Sequence, residues 1–403
     1  MSKTTPRSVD LGEMDPNGSR QLGRRSAVCL TGESVFAGLE DGDVVAFERD
    51  SLTEWWRHDG IPGSVVSMES FASGVVTGTR GPEGDIRLLD AESGTVRWQY
   101  SSVDDIGDPQ RETRFFLPFI VDIVSDDQRV YVISRRYERD PEAGRTFRSI
   151  VYAFGPDGEI QWSHETDASP ISADVGDERV VIGFNRTTGE DRDGLRVLDA
   201  AGGSVKRRWD PPGEGQRRVG DVALFKDGLA VATHADYRGY RLDDDGAVWS
   251  VDLGRSVERG EDTVYTYPNH VHATTDGIVF VTGNTYPTDG RETDERHPNE
   301  QMAFGVDPGG TVRWEAEVGG FTHGTTQEGS RIAIPVAQHF RERDPSVHGV
   351  VELDVKDGEK RREPTDGVAT ATALDDGLAA VEEPVVYHDD GTTRGDYRLH
   401  LRQ

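Results

Sequence analysis

Apolar residues in this chain come in short bursts. Runs such as RVYVIS, RVVIGF, LAVAT and GIVFVTG are rich in Val and Ile and bounded by Gly or Asp. That is the pattern of short strands closed by turns. The stretch 86–98, IRLLDAESGTVRW, shows the unit: an apolar strand, a turn over 90–94, and a second strand ending on tryptophan. Trp56, Trp98, Trp162, Trp209, Trp249 and Trp314 each close such a unit, and a seventh, VVELDVKDGEKRR at 350–362, has Arg362 in the tryptophan position. Successive closing residues lie 42, 64, 47, 40, 65 and 48 positions apart. A repeat of about 40 residues lengthened by insertions marks a propeller or solenoid. A further pair of strand signals precedes each corner, so every unit holds about four short strands, one antiparallel blade. The recurrent ring fills the wedge between neighbouring blades, burying roughly 150–250 Å² each. Trp55 alone is out of phase.

The units fall at 27–56, 65–98, 120–162, 171–209, 222–249, 271–314 and 322–362. The tail after 367 supplies three strands and no closing corner, and an N-terminal strand within 8–14 completes its sheet. The expected fold is therefore all-β: a single β-propeller of four-stranded antiparallel blades, with eight blades. Seven is the alternative if 367–403 merges with the first blade. Residues 1–25 form an N-terminal segment with the closing strand, and 26–403 the propeller domain. Closing a ring with both termini removes free sheet edges. Long insertions sit between second and third strands (RRYERDPEAGRTFRS, NRTTGEDRDG, NTYPTDGRETDERHPNEQ, QHFRERDPSVHG) or link blades (SSVDDIGDPQRETRFFLPF, SVDLGRSVERGEDTVYTYPN). Both classes belong to one face. Elaborated loops on a rigid scaffold are where binding usually resides, although loop growth is also cheap in closure entropy.

VVTGTRGPEGDIRLLDAESGTVRW and VYAFGPDGEIQW resemble the quinoprotein-type (PQQ-like) propeller repeat, as in BamB-type propellers. The resemblance spans nearly the whole chain and implies the fold. It does not carry the quinoprotein cofactor with it: those dehydrogenases use adjacent cysteines, a tryptophan platform and a calcium site, and this chain has one cysteine, Cys29. PQQ is not expected. BamB-type relatives are exported lipoproteins; no apolar signal segment occurs in 1–20 and no run nears 18 apolar residues, so the expectation is a cytoplasmic protein without membrane insertion.

Charge sharpens this. The net charge is −29, and of 45 basic residues only Lys3, Lys206, Lys226, Lys356 and Lys360 are lysine. The composition is similar to that of haloarchaeal proteins, in which concentrated salt screens the self-repulsion of an acidic surface. Such a surface argues against nucleic acid as a partner. A cation-binding acidic protein is the alternative, but the acids are spread rather than blocked.

Two groups of residues are candidates for chemistry. His270 and His272 lie two apart and share one side of a strand. His323, in the next repeat, matches His272, and Asp122, Asp174 and Asp221 occupy nearby positions in other repeats. Imidazoles with carboxylates around a channel mouth are a divalent-metal set, or a general acid–base set without metal. The plainer reading is that they line a water-filled channel. On the link into the third blade, Arg111, Arg114, Phe115 and Phe116 suit an anionic ligand or a partner's tail, or simply pack on a blade edge. Tyr267 and Asn269, beside His270, are loop anchors or site residues. No P-loop, HExxH or GxSxG motif is present. The sequence therefore points first to a monomeric, non-enzymatic scaffold that binds a protein partner through its elaborated face. A metal-assisted hydrolase, lyase or transferase at the channel mouth stands second, and a small-molecule or sugar sensor third.

Overall fold

The computed structural model describes residues 7–18, 23–142, 144–225, 228–290, 292–337, 344–387 and 391–403. Among the described residues nearly all regular structure is strand; the helical turns are Val103–Ile106 and the 3₁₀ turn Pro345–Val347. The chain divides into two compact units. One comprises Met1–Glu165, Thr322–Glu352 and Arg361–Gln403, and the other Thr166–Phe321 and Leu353–Lys360.

The first unit begins with the four-stranded antiparallel sheet Ala27–Leu30, Ser34–Gly38, Val44–Glu48 and Glu54–His58. A second follows, Ser64–Phe71, Gly74–Arg80, Asp85–Asp90 and Val96–Ser101. The pair Phe119↔Arg80 joins it to a third, built from Phe119–Ser125, Val130–Asp140, Gly144–Phe154 and Ile160–Thr166. The terminal sheet orders Val368–Leu374, Leu378–Glu383, Arg398–Arg402 and, as its outer strand, Arg7–Asp10. The chain's early and late strands thus complete one sheet, as the pattern required. In the second unit the corresponding sheets start at Ala168–Gly176, Val219–Phe225 and Asp262–Thr274. The last of these gains an extra edge strand, Val257–Arg259.

Burial follows strand order. Second strands open as fully covered runs: Val130, Tyr131, Val132 and Ile133 are all 0% exposed. Covered on both faces, such a strand loses the alternation that a half-exposed one shows. The fourth strand Glu54–His58 keeps that alternation. Many short, fully covered strands let a chain with only 34% hydrophobic residues bury its apolar side chains in clusters between sheets.

The corner tryptophans have a definite seat. The Trp56 indole lies on the turn of the following sheet, where its N–H donates to the Ala91 carbonyl at 2.9 Å. A Cβ on Gly94 would come within 2.5 Å of the ring, and Gly94 has φ +68°, so size and backbone both require glycine there. In the second unit Trp249 repeats this on Gly310 and the Pro308 carbonyl, and Trp314 on Gly358 and the Val355 carbonyl. The turns are preformed by aspartate. Asp90 Oδ1 accepts from the amides of Glu92 and Ser93, and Asp307 Oδ1 from those of Gly309 and Thr311. This Asx closure is what the recurrent Asp–Gly signal encodes.

The insertions differ from expectation in kind. RRYERDPEAGRTFRS extends the second and third strands into one long ladder running to Asp140↔Gly144. The second strand Gly277–Pro287 likewise runs into its insert. Part of QHFRERDPSVHG lies outside the described residues.

Candidate functional site

The link 102–118 is anchored over its first half. Asp105 accepts from the Tyr100 and Tyr152 hydroxyls at 2.7 and 2.6 Å, Arg136 donates to the Ile106 carbonyl at 2.8 Å, and the Gln110 side chain accepts from the Arg139 amide. The Phe–Phe pair then divides. Phe116 packs on Tyr137 with centroids 5.0 Å apart, under the Arg111 guanidinium at 5.3 Å. Phe115 is 70% exposed. The expected packing of this run on a blade edge thus holds for one ring only.

Beneath the link, arginines from separate parts of the first unit converge on Phe119. The Arg80 guanidinium carbon lies 3.8 Å from the ring centroid and that of Arg135 5.3 Å. Both residues are cross-strand partners of Phe119, so the sheet itself aims them at one ring. Arg24 donates to the Val121 carbonyl at 2.6 Å. Arg114 folds against Gly23, where a Cβ would overlap its Nη2. Arg25 is neutralised by Glu40 at 3.0 Å and the buried Glu383 at 3.1 Å. Glu383 also accepts from Asn17, Ser26 and Thr370. Among the described residues neither Arg80 nor Arg114 forms an ion pair. Burial, then the charges of Arg114, Arg135 and Arg24, push Arg80 down to about 8. Burial and Arg25 lower Arg114 also, against Glu383 and Glu40. An arginine keeps its proton at neutral pH, so the cost remains as unbalanced charge.

Of these arginines only Arg114 stood out in the sequence. Arg80 directly follows Thr79, a fully buried residue whose hydroxyl accepts from the Asp85 amide at 2.8 Å. Arg135 follows the fully buried Ser134. The usable signal was this place, the residue after a buried hydroxyl at a second strand's end, compared between repeats.

In the second unit the same place holds His234, after the fully buried Thr233, which accepts from the Arg238 amide. The Asn185 amide donates to His234 Nδ1 at 3.0 Å, so Nε2 carries the hydrogen and donates to Asn269 Oδ1 at 3.2 Å. Burial, reinforced by Arg217, drops the imidazole to about 3. Tyr267 stacks against it at 4.5 Å and is itself ringed by Tyr237, Tyr265 and Tyr286. Asn269 and Tyr267 therefore hold His234 in place.

The candidate channel-mouth residues are placed as follows. Asp221 and His270 do occupy like positions, each just after a bulge, opposite Ala232 and Val281. The His270 ring stands 3.9 Å from the Asp221 carboxylate. The buried His272 is two residues further, opposite Val279. Asp221, however, accepts from the amides of Val222 and Val271 at 2.9 Å each, and Asp174 from Val175 at 2.8 Å and Leu224 at 2.7 Å. These carboxylates tie one sheet's inner strand to the next. Asp122 accepts from the Ile123 amide and belongs, with His323, to the first unit. Among the described residues no group of three or more His, Cys, Asp and Glu side chains is placed to hold a metal ion. Cys29 is buried, with its thiol raised by desolvation and by Glu69.

No protein-family model matches this chain, and no curated protein does. Solved structures do. BamB from Moraxella catarrhalis matches with TM-score 0.59 at 16% identity, over 99% of both chains. Quinohemoprotein alcohol dehydrogenase from Comamonas testosteroni gives 0.61 at 11%, over 98% of this chain and 75% of that one. The enzyme ADHIIG from Pseudomonas putida HK5 gives 0.61 at 10%, with the same coverage. The fold is that of the PQQ-like β-propellers. At these identities the likeness speaks for the fold alone. Among the described residues of the propeller no helix is long and apolar enough to cross a membrane.

Proposed function

We propose that this PQQ-like β-propeller is a non-enzymatic scaffold that binds a protein partner through its elaborated loops, in a salt-rich cytoplasm. The observation carrying the reading is the link 102–118. It is held rigidly at Asp105, Ile106 and Gln110, yet displays Phe115 at 70% exposure, flanked in sequence by Arg111 and Arg114. An exposed aromatic with arginine neighbours on an anchored link is the composition of an interface hot spot. The −29 charge and near-absence of lysine support the salt-rich setting and a partner other than nucleic acid. The single cysteine gives no reason to include a quinone cofactor. The metal-assisted reading has less behind it, because Asp174 and Asp221 already accept backbone amides from the next inner strand.

The test is affinity capture in multimolar KCl with wild type and a Phe115→Asp/Arg111→Glu variant, followed by titration of the purified captured protein. The expected result is a partner whose affinity falls at least tenfold in the variant. Equal capture by both proteins, or unchanged affinity, would overturn the assignment of this face.

A further inference from the structure

The geometry points to an oxyanion-binding site in the first unit, formed by Arg24, Arg80, Arg114 and Arg135 around Phe119, that takes a carboxylate- or phosphate-bearing small ligand. The site goes beyond the partner-binding reading and does not depend on it. Three observations carry it. The guanidinium groups come from the residues before one inner strand, the end of the second strand Gly74–Arg80, the middle of the second strand Val130–Asp140 and the link 102–118, so the fold gathers them rather than local sequence. In a chain of net charge −29, like positive charges brought together are the reverse of what the composition would give. The acids within reach, Glu40 and Glu383, are engaged by Arg25 at 3.0 and 3.1 Å, while Arg80 and Arg114 form no ion pair among the described residues.

The packing is also that of a prepared site. Arg80 lies 3.8 Å over the Phe119 ring and Arg135 5.3 Å from it, so an aromatic face positions both guanidinium groups, a contact that uses none of the N–H donors of Arg80. Arg24 is anchored on the Val121 carbonyl at 2.6 Å. Guanidinium groups held in fixed planes present paired donors that match the two oxygens of a carboxylate or phosphate. An anion placed among them would relieve the repulsion that burial and neighbouring arginines impose on Arg80. Loss of one guanidinium should then have two opposed effects: weaker anion binding and a more stable ligand-free protein.

The experiment is calorimetric titration of the intact protein with inorganic phosphate and, separately, malonate, at ionic strength held constant with KCl. Thermal unfolding is followed in the same buffers. In wild type at least one anion is expected to bind and raise the melting temperature; which one does tells phosphoryl from carboxylate ligands. Arg80→Gln is expected to weaken that binding at least tenfold while melting no lower than wild type without anion. Arg114→Gln, at an exposed position that cannot compromise the core, is expected to weaken it about threefold. Arg97→Gln, in the strand Val96–Ser101 elsewhere in the unit, should leave it unchanged. Absence of binding for both anions at tens of millimolar, or binding unaltered in both Arg80→Gln and Arg114→Gln, would overturn the site.

Discussion

Arg80 and His234 occupy the same place in two repeats, and the repeats have used it in opposite ways. Each follows a fully buried threonine at the end of a second strand. His234 has both ring nitrogens engaged, by Asn185 and Asn269, and it stays neutral, at about 3. Arg80 keeps its charge over Phe119 with no ion pair among the described residues, pressed down to about 8. A buried polar group whose hydrogen bonds are complete belongs to the architecture. A half-buried charge without a counter-charge is a cost the fold tolerates, and it is there that a ligand has something to gain. The same contrast explains why the inner aspartates, conspicuous in sequence, are poor candidates for chemistry, while arginines that no motif marks are good ones.

The comparison can be broken most sharply at its two ends. His234→Leu should cost about 3 kcal/mol in denaturant unfolding, since it removes a buried ring and leaves Asn185 and Asn269 without that partner. Arg80→Met, at the equivalent place, should change stability by less than about 1 kcal/mol and in the stabilising direction. Destabilisation of similar size at both positions would erase the distinction.

Acid and base titrations should separate the groups next. His234 is depressed from 6.5 to about 3, so the unfolded chain takes up its proton first. Its contribution is present above about pH 6.5 and lost as pH falls towards 3, and His234→Leu should remove up to one proton from that slope. Glu69 shifts the other way, raised from 4.5 to about 7 chiefly by burial, with Asp122 adding to it and Ser125 opposing. Its contribution is present below about pH 4.5 and lost as pH rises through 7. Glu69→Gln should flatten stability over that window, read by melts at fixed salt.

The smallest effect repeats the contrast inside one unit. Trp56 donates to the Ala91 carbonyl, whereas the buried Trp98 Nε1 has no hydrogen-bond partner, although Trp98 stacks on Phe154 at 5.1 Å. Trp56→Phe should cost about 1 kcal/mol more than Trp98→Phe. The turn under Trp98 begins with Gly155 where the others have aspartate, which is the visible difference between the two seats.

Most of the fold was legible because its determinants are local. A valine-rich strand, an Asp–Gly turn and a corner tryptophan fall within about a dozen residues and repeat, so each copy corroborates the rest. Even closure by Arg7–Asp10 could be anticipated, since the tail lacked one strand. The site was not local. Arg24, Arg80 and Arg135 come from separate elements of the first unit, and nothing within ten residues of any of them announces the others. Phe119, the ring they share, looked like one more apolar strand residue. The aspartates misled for the converse reason: the bulges before Asp122 and Asp221 and the amide contacts to the following inner strand do not show in a sequence pattern.

The terminal sheet has a consequence for how the molecule is made. Arg7–Asp10 pairs with Arg398–Arg402, so a strand made about 390 residues before its partner is among the last to find its place. At about 5–20 residues per second, it waits roughly 20–80 s for its partner to be synthesised. Throughout that interval the repeats between them can assemble neighbour on neighbour, but the terminal sheet stays open along one edge.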